Sequence, residues 1–235
     1  REHPLIIAQY YQEGHEAKAR GIPVGWMPPM NGCIEVFYAM GLQPVFPENW
    51  SPVCAAFGLT PANFEVSEGM GYSRDLCGYL RNITGYVYSD MNGPAVPLSG
   101  LPEPDMIISF GGGCIPAMKI FQILEGRFPG AKIFRADLPQ VAVEDIREYH
   151  IDYAVSEMHR LIEFLQDATG RKLEPEVLAM AVERSDEACR LWDEIMSFRR
   201  FRPTHISAAE IGIMFVMVTR QGTSTAVDFL TRVRD

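Results

Sequence analysis

The stretch MIISFGGGCIPAM, residues 106–118, is the part of the sequence that indicates the fold class most directly. Its first five residues, Met106–Phe110, form a short apolar run of the kind that is typical of a buried parallel strand. Three glycines and Cys114 follow, and helical sequence begins directly after them, at residues 115–124. A strand that passes through a tight turn straight into a helix is typical of a doubly wound α/β layer. The segment therefore predicts a strand–helix unit with a cysteine at its turn.

Three other apolar runs resemble this strand in length and composition. Residues 22–26 and 131–134 are predicted to be buried strands, and residues 43–46 a weaker fourth one. A loop and then helical sequence, residues 34–40, follow the first run. Alternating strands and helices build parallel sheets. We therefore predict a Rossmann-like, doubly wound parallel sheet over residues 1–140.

The pattern changes in residues 141–235, where apolar residues recur at helical spacing. A glycine-containing turn at residues 169–172 divides a first pair of helices, and two more helical stretches follow at 208–220 and 224–234. So few strands make an incomplete α/β layer. We therefore expect this helical segment to lead to a second lobe beyond Asp235, within a two-lobed subunit.

Composition excludes several classes of protein. The chain has 235 residues, of which 47% are hydrophobic and 22% charged, as in a soluble globular protein. A net charge of −9 argues against a nucleic-acid partner, and the longest apolar run, residues 211–218, is too short to span a membrane. The first residues show no signal-peptide core, although a chain that starts at Arg1 could have lost a leader. The odd number of cysteines, five, favours reduced thiols and a cytoplasmic setting.

Three loops are expected at the carboxyl ends of the strands, where ligands of α/β proteins collect: 26–33, 71–81 and 111–114. Two of them place a cysteine, Cys77 or Cys114, at or near a helix N-terminus. The helix dipole there favours the thiolate, which binds zinc, copper or iron–sulfur clusters.

The cysteine spacing alone does not identify a metal. The chain has no C-x-x-C pair, so it matches neither a zinc ribbon nor a ferredoxin, and both cysteines could equally be small buried apolar residues. Cys33 is intermediate, since its loop position fits a site but it could also cover a helix start. Cys54 and Cys189 are expected to pack in the core.

The glycine run allows a different interpretation. It begins like a dinucleotide-binding fingerprint, and Asp137 lies at about the distance in sequence at which that fingerprint has its acidic residue. However, Pro116 stands where the third glycine belongs. Such a partial match is more often a tight strand–helix turn. A redox-neutral nucleotide-binding protein therefore remains an alternative, whereas the absence of a G-x-S-x-G elbow argues against serine nucleophile chemistry.

Taken together, these segments resemble the benzoyl-CoA reductase and 2-hydroxyacyl-CoA dehydratase family, in its cluster-binding D-component type. The resemblance extends in order along nearly the whole chain, at residues 25–28, 35–45, 75–81, 104–119, 161–173 and 202–203. It is most specific at the cysteine–aromatic–arginine segment around Cys77 and at the strand-to-cysteine turn that ends in Cys114.

The resemblance implies a 4Fe–4S cluster, an acyl-CoA or aroyl-CoA substrate, a homologous second subunit and an ATP-dependent iron–sulfur protein that donates electrons. It implies that Cys77 and Cys114 are two of three cluster ligands, with the third expected beyond Asp235 and Cys33 as a less favoured substitute. The residues that it assigns to substrate binding are Trp26, Met27, Glu35, Tyr79 and Arg81.

Within the family, residues 46–56 and 71–77 resemble the aromatic-ring reductase branch more closely, so benzoyl-CoA ring reduction is the expected activity. Dehydration of an (R)-2-hydroxyacyl-CoA is the alternative. A non-catalytic subunit of the same fold is a further alternative, because the third cysteine is missing and because Cys33 and Ile115 depart from the family's pattern.

Overall fold

The protein is seen in a computed structural model that describes residues 3–29, 33–89, 96–111, 113–206 and 213–235. Four parallel strands form one sheet in the order β2-β1-β3-β4. They are β1 (Val24–Trp26), β2 (Gln43–Val45), β3 (Met106–Phe110) and β4 (Lys132–Ala136). The predicted parallel sheet is confirmed, with strand ends that differ by one or two residues.

The strand order fixes where a ligand can bind. The chain runs from β1 outward to β2 and then returns to place β3 on the other side of β1. Such a reversal opens a crevice between the carboxyl ends of the two central strands. In β3, the consecutive residues Met106, Ile107 and Ile108 are all buried. Because neighbouring side chains of a strand point to opposite faces, both faces of the sheet are covered.

The helices of the first half connect these strands. α1 (His3–Ala19) precedes β1, α2 (Ile34–Ala39) joins β1 to β2, and α6 (Ile115–Arg127) joins β3 to β4. Among the described residues between β2 and β3, three α-helices follow one another: α3 (Pro47–Ala56), α4 (Thr60–Gly69) and α5 (Gly78–Tyr88).

The second half is helical, as predicted. It contains α7 (Glu148–Thr169), α8 (Pro175–Ser197), α9 (Ile213–Arg220) and α10 (Ser224–Arg234). Gly170 ends α7 in the left-handed conformation, with φ of 70°, and donates its N–H to the Gln166 carbonyl. Residues 207–212, the start of the predicted helix 208–220, lie outside the described residues.

The helical half shares its core with the sheet. Leu161 and Leu165 of α7 belong to the main hydrophobic core, and Phe164 packs on Phe134 of β4 with ring centroids 5.3 Å apart. α8, α9 and α10 form a smaller cluster that also includes Ile6 of α1. The boundary near residue 140 thus stays a prediction. Within the described part of the chain, no helix has both the length and the apolar character that a membrane span needs.

Candidate functional site

Cys114 stands where β3 turns into α6. It is the N-cap residue of α6, and its carbonyl accepts the Met118 N–H at 3.2 Å. The Gly111 N–H bonds to the Ala136 carbonyl at 2.6 Å, and a Cβ at Gly111 would lie 2.9 Å from an Asp137 oxygen. Glycine therefore lets the ends of β3 and β4 approach. The Cys114 thiol is free and exposed.

Cys77 occupies the same position on α5. It is the N-cap residue, its carbonyl accepts the Arg81 N–H at 3.1 Å, and its thiol is free and exposed. All residues from 73 to 79 are exposed, so none of these residues anchors the loop through its own burial.

A buried arginine holds the Cys77 loop instead. The Arg81 guanidinium, in a residue only 9% exposed, lies 3.9 Å from the centroid of the Phe64 ring and donates to the Arg74 carbonyl at 3.1 Å. It also pairs with Glu68, which accepts a second bond from the Arg74 side chain at 2.8 Å. Partial burial raises the pKa of Glu68, but the hydrogen bonds and charges of Arg74 and Arg81 outweigh this effect. The pKa of Glu68 is therefore lowered. We call Glu68, Arg74 and Arg81 the Arg81 clamp.

Helices α5 and α6 pack side by side. Near their C-terminal ends, Arg127 Nε donates to the Val87 carbonyl at 2.9 Å. At the other end α3 connects the two cysteine loops: Ser51 donates to the Tyr79 carbonyl at 3.2 Å, and Glu48, one turn earlier, lines the cavity beside Cys114. Cys77 and Cys114 therefore start neighbouring helices at the same end of the sheet.

A cavity of about 360 Å³ opens at this end, at the crevice between β1 and β3. Its walls come from the loops that follow β1, β3 and β4, together with the first turns of α3 and α6: Pro28, Pro29, Glu48, Phe110, Gly111, Gly113, Cys114, Ala117, Leu138 and Pro139. Apart from Glu48 and the Cys114 thiol, the side chains among these described residues do not ionise.

Glu48 is the functional candidate that sequence reasoning missed. Its Oε1 atom is buried and has no hydrogen-bond partner among the described residues. Burial raises the pKa of Glu48, so the neutral acid is favoured more than in water. The signal was a carboxyl residue directly after a strand, in the sequence Val45-Phe46-Pro47-Glu48.

Cys33, the proposed substitute ligand, has different surroundings. It is completely buried, and its thiol donates to the Met27 sulfur at 3.7 Å. Burial, and then the charge of Glu35, raise the pKa of Cys33 and favour the protonated thiol. These surroundings give no support to Cys33 as a ligand.

The residues assigned to substrate binding are spread over different environments. Trp26 and Met27 are buried, and the Trp26 indole donates to the Pro102 carbonyl at 2.9 Å. Glu35 accepts a bond from Ser185 of α8 at 2.5 Å. Tyr79, 48% exposed, lines a separate apolar cavity of about 530 Å³ between α1, α3 and α9. Arg81, the fifth of these residues, belongs to the Arg81 clamp. The role of all five in substrate binding stays a prediction.

The remaining cysteines were both expected in the core. Cys54 is buried, as predicted. The prediction for Cys189 was wrong, since this residue is exposed on α8. The buried face of α8 runs through Ala181, Ser185 and Ala188. Cys189 follows Ala188 by one residue, which rotates it away from that face.

The donor chemistry of the two loops fits a cluster that is completed from elsewhere. Cys77 and Cys114 are free, exposed thiols at the starts of two helices, and thiolates are soft ligands of the kind that iron–sulfur clusters take. The described residues contain no group of three or more His, Cys, Asp or Glu side chains that could hold a metal ion. A complete site would therefore need at least one ligand from outside them.

The chain is similar to several proteins that are named as alpha subunits of 2-hydroxyacyl-CoA dehydratases. The alpha subunit of (R)-phenyllactyl-CoA dehydratase from Clostridium sporogenes is 27% identical, over 94% of this chain and 53% of its own length. The alpha subunit of (R)-2-hydroxyisocaproyl-CoA dehydratase from Clostridioides difficile is 27% identical, over 82% of this chain and 46% of its own length. The alpha subunit of (R)-2-hydroxyglutaryl-CoA dehydratase from Acidaminococcus fermentans is 19% identical, over 95% of this chain and 61% of its own length.

The chain spans about half the length of the curated relatives that it matches. A sequence model of the family described as "2-hydroxyglutaryl-CoA dehydratase, D-component" matches residues 30–235. The chain therefore belongs to the 2-hydroxyglutaryl-CoA dehydratase D-component family.

Proposed function

We propose that the chain is part of an enzyme subunit that removes water from an (R)-2-hydroxyacyl-CoA. The observation that supports this most directly is that two free thiols and a carboxyl of raised pKa lie at one end of the sheet. The relatives carry the names of 2-hydroxyacyl-CoA dehydratases. These names support dehydration, the alternative, better than the benzoyl-CoA reduction that residues 46–56 and 71–77 led us to expect.

In this proposal Cys77 and Cys114 hold a 4Fe–4S cluster with a third ligand from outside the described residues. Once bound, the cluster would supply the low-potential electron that makes an unactivated hydrogen beta to the thioester removable. The helix starts orient both thiolates, and the Arg81 clamp keeps the Cys77 loop in position. The cavity beside Cys114 would take the 2-hydroxyacyl group.

Glu48 has the properties of a proton donor in this reaction. Its raised pKa keeps more of the acid form near neutral pH, and its buried oxygen lacks a partner among the described residues. Loss of the 2-hydroxyl as water needs one proton, and formation of the double bond releases one from the neighbouring carbon. Elimination is redox-neutral overall, so one carboxyl can give and recover the proton.

The proposal includes two partners and a location. Relatives named as alpha subunits support a second, homologous subunit. An ATP-dependent iron–sulfur protein would deliver the electron. None of the five cysteines, all of which lie in the described residues, forms a disulfide, which suits a reducing cytoplasm.

Anaerobic reconstitution of the full-length subunit with its partner tests the cluster. We expect Cys77→Ser and Cys114→Ser each to lose most of the bound iron and sulfide, whereas Cys189→Ser, an exposed cysteine on α8, retains them. If the Cys77 and Cys114 variants kept full iron content, the non-catalytic alternative would be favoured.

Substrate assays separate the two activities. With an electron donor present, we expect an (R)-2-hydroxyacyl-CoA to yield the 2-enoyl-CoA and benzoyl-CoA to remain unreduced. Reduction of benzoyl-CoA without dehydration would restore the reductase as the function of the complex.

A further inference from the structure

We propose that Asn82 is a positioning residue, which holds the helix that carries Glu48 in a fixed position against the helix that starts at Cys77. This inference rests on the proposed function and adds to it a residue outside the cavity. It is based on the hydrogen bonds of the Asn82 side chain, which join α5 to both α3 and α4.

The side-chain amide of Asn82 is buried and fully engaged as a donor. The residue is 3% exposed, and its Nδ2 donates to the Ser51 carbonyl of α3 and to the Thr60 hydroxyl of α4, both at 3.0 Å. Its Oδ1 accepts from Asn63 Nδ2 of α4 at 2.7 Å. A carbonyl can only accept, so Nδ2 must face Ser51, and the amide has one favoured orientation.

Ser51 connects this amide to both functional helices. Its carbonyl accepts from Asn82, and its hydroxyl donates to the Tyr79 carbonyl at 3.2 Å. Tyr79 lies in the first turn of α5, two residues after Cys77. Ser51 lies three residues after Glu48, which is about one turn further along α3. Two hydrogen bonds thus fasten α3 to α5 close to both functional residues.

Stability alone does not call for an amide at this place. Every residue of α5 from 80 to 87 is buried, and Leu80, Ile83 and Val87 belong to the main hydrophobic core. Replacing a buried hydrogen-bonded pair by apolar groups of the same shape is nearly neutral for stability. Hydrogen bonds differ from apolar contacts in being directional, so they fix how far one helix can slide along another.

Helix α4 has a second constraint against α5. A Cβ at Gly85 would lie 1.8 Å from the Asn63 carbonyl oxygen, so the two backbones are in direct contact there. We therefore expect loss of the Asn82 amide to displace α3 more than α4. A carboxyl must lie within hydrogen-bond reach of the group that receives its proton, so a small displacement of Glu48 would slow the reaction.

Single-turnover dehydration by the assembled full-length enzyme, with its cluster reconstituted and an electron donor present, tests the inference. The probe is (R)-2-hydroxy-4-methylpentanoyl-CoA, and an excess of enzyme makes the rate report the chemical step rather than product release. We expect Asn82→Ala to lower this rate about tenfold or more. The Kd of the substrate and the iron and sulfide content should change by less than about twofold, because the cavity and both cysteines are intact.

A double variant shows whether Asn82 acts through Glu48. In the Glu48→Gln background, Asn82→Ala should lower the rate by less than about threefold, because the group that it positions is already lost. Ser51→Ala removes only the bond to Tyr79 and should cause a smaller loss that also disappears in that background; it replaces Asn82→Ala if that variant does not fold. Thr84→Val is the matched control, at a buried position of α5 whose hydroxyl has no partner among the described residues, and should leave the rate unchanged.

Equal losses with and without the Glu48 carboxyl would overturn the inference. An unchanged rate, or a loss of iron from folded Asn82→Ala, would also overturn it, and in each case the dehydratase proposal would stand. A wild-type enzyme that reduced benzoyl-CoA and did not dehydrate the probe would refute the proposed function and the inference with it.

Discussion

Cys77 and Cys114 hold equivalent positions, each at the N-cap of a helix, but the chain around them is stabilised in different ways. Cys114 follows β3, whose residues Met106, Ile107 and Ile108 are buried in the main core. Cys77 follows an exposed loop that is held by the Arg81 clamp. Hydrophobic burial involves no ionised group, whereas an ionic clamp is screened by salt and responds to pH.

The difference implies unequal local stability. A loop with exposed backbone hydrogen bonds and few apolar contacts opens at lower free energy than one attached to a core strand. We therefore expect the Cys77 loop to be the more easily perturbed of the two helix starts. Four experiments test this difference in local stability.

The largest effect is expected from Ile108→Ala on the Cys114 side. Ile108 is completely buried in β3, and truncation should lower the free energy of unfolding by about 4 kcal/mol through lost burial and a cavity. Urea unfolding measures this. Ile115→Ala, at a position 77% exposed just after Cys114, is the control and should change stability by less than about 0.5 kcal/mol. Similar losses in both variants would contradict the hydrophobic anchor.

On the Cys77 side, Gly85→Ala tests the packing of α5 on α4. A Cβ at Gly85 would lie 1.8 Å from the Asn63 carbonyl oxygen, which is backbone and cannot move without α4. We expect a loss of about 3 kcal/mol in unfolding free energy. In contrast, Gly126→Ala in α6 meets no atom within 4 Å and should stabilise the protein by about 0.5 kcal/mol, because alanine favours helix. Unchanged stability of Gly85→Ala would show that the helices can separate freely.

Arg81→Met retains the buried stem but removes the guanidinium from the clamp. The Arg74 carbonyl and Glu68 each lose a charge-assisted bond, so a cost of about 1–2 kcal/mol is expected. Hydrogen exchange followed by mass spectrometry should show faster exchange in residues 73–81 and unchanged exchange in 110–118. Arg81→Lys should restore only part of the protection, because lysine cannot form both bonds in a plane. Equal acceleration at both cysteine loops would disprove a local role.

The smallest effect is a pair of opposite pH dependences. The pKa of Glu68 is lowered, so its stabilising contribution is present above the ordinary glutamate pKa and is lost as the pH falls through the folded value. The pKa of Glu48 is raised, so its folded state binds a proton that the unfolded state has lost, and stability falls as the pH rises from the ordinary value through the folded one.

Melting temperatures of Glu48→Gln and Glu68→Gln at several pH values check these signs. Relative to the wild type, Glu48→Gln should gain up to about 4 °C as the pH rises to neutral. Glu68→Gln should be the less stable variant at neutral pH and converge with the wild type in acid. Parallel pH curves for the two variants would contradict the opposite environments of these carboxyls.

Helices α1, α3 and α4 escaped sequence reasoning. Adjacent buried residues such as Tyr10 and Tyr11 blur the periodicity of α1, and Pro52 lies inside α3. The error at Cys189 has a related cause. The apolar residues of α8 do not all lie on one face, and packing against α2 and α10 selects which face is buried.

Local sequence patterns were sufficient to predict the parallel sheet, the helical second half and the placement of Cys77 and Cys114 at helix starts. These features depend on local periodicity, glycine turns and the rule that parallel strands end at one edge. The folded chain was needed to show that Glu48 faces a cavity, that Arg81 clamps the Cys77 loop and that Cys33 is buried away from water. Burial and charge pairing join residues distant in the chain, so no local pattern encodes them.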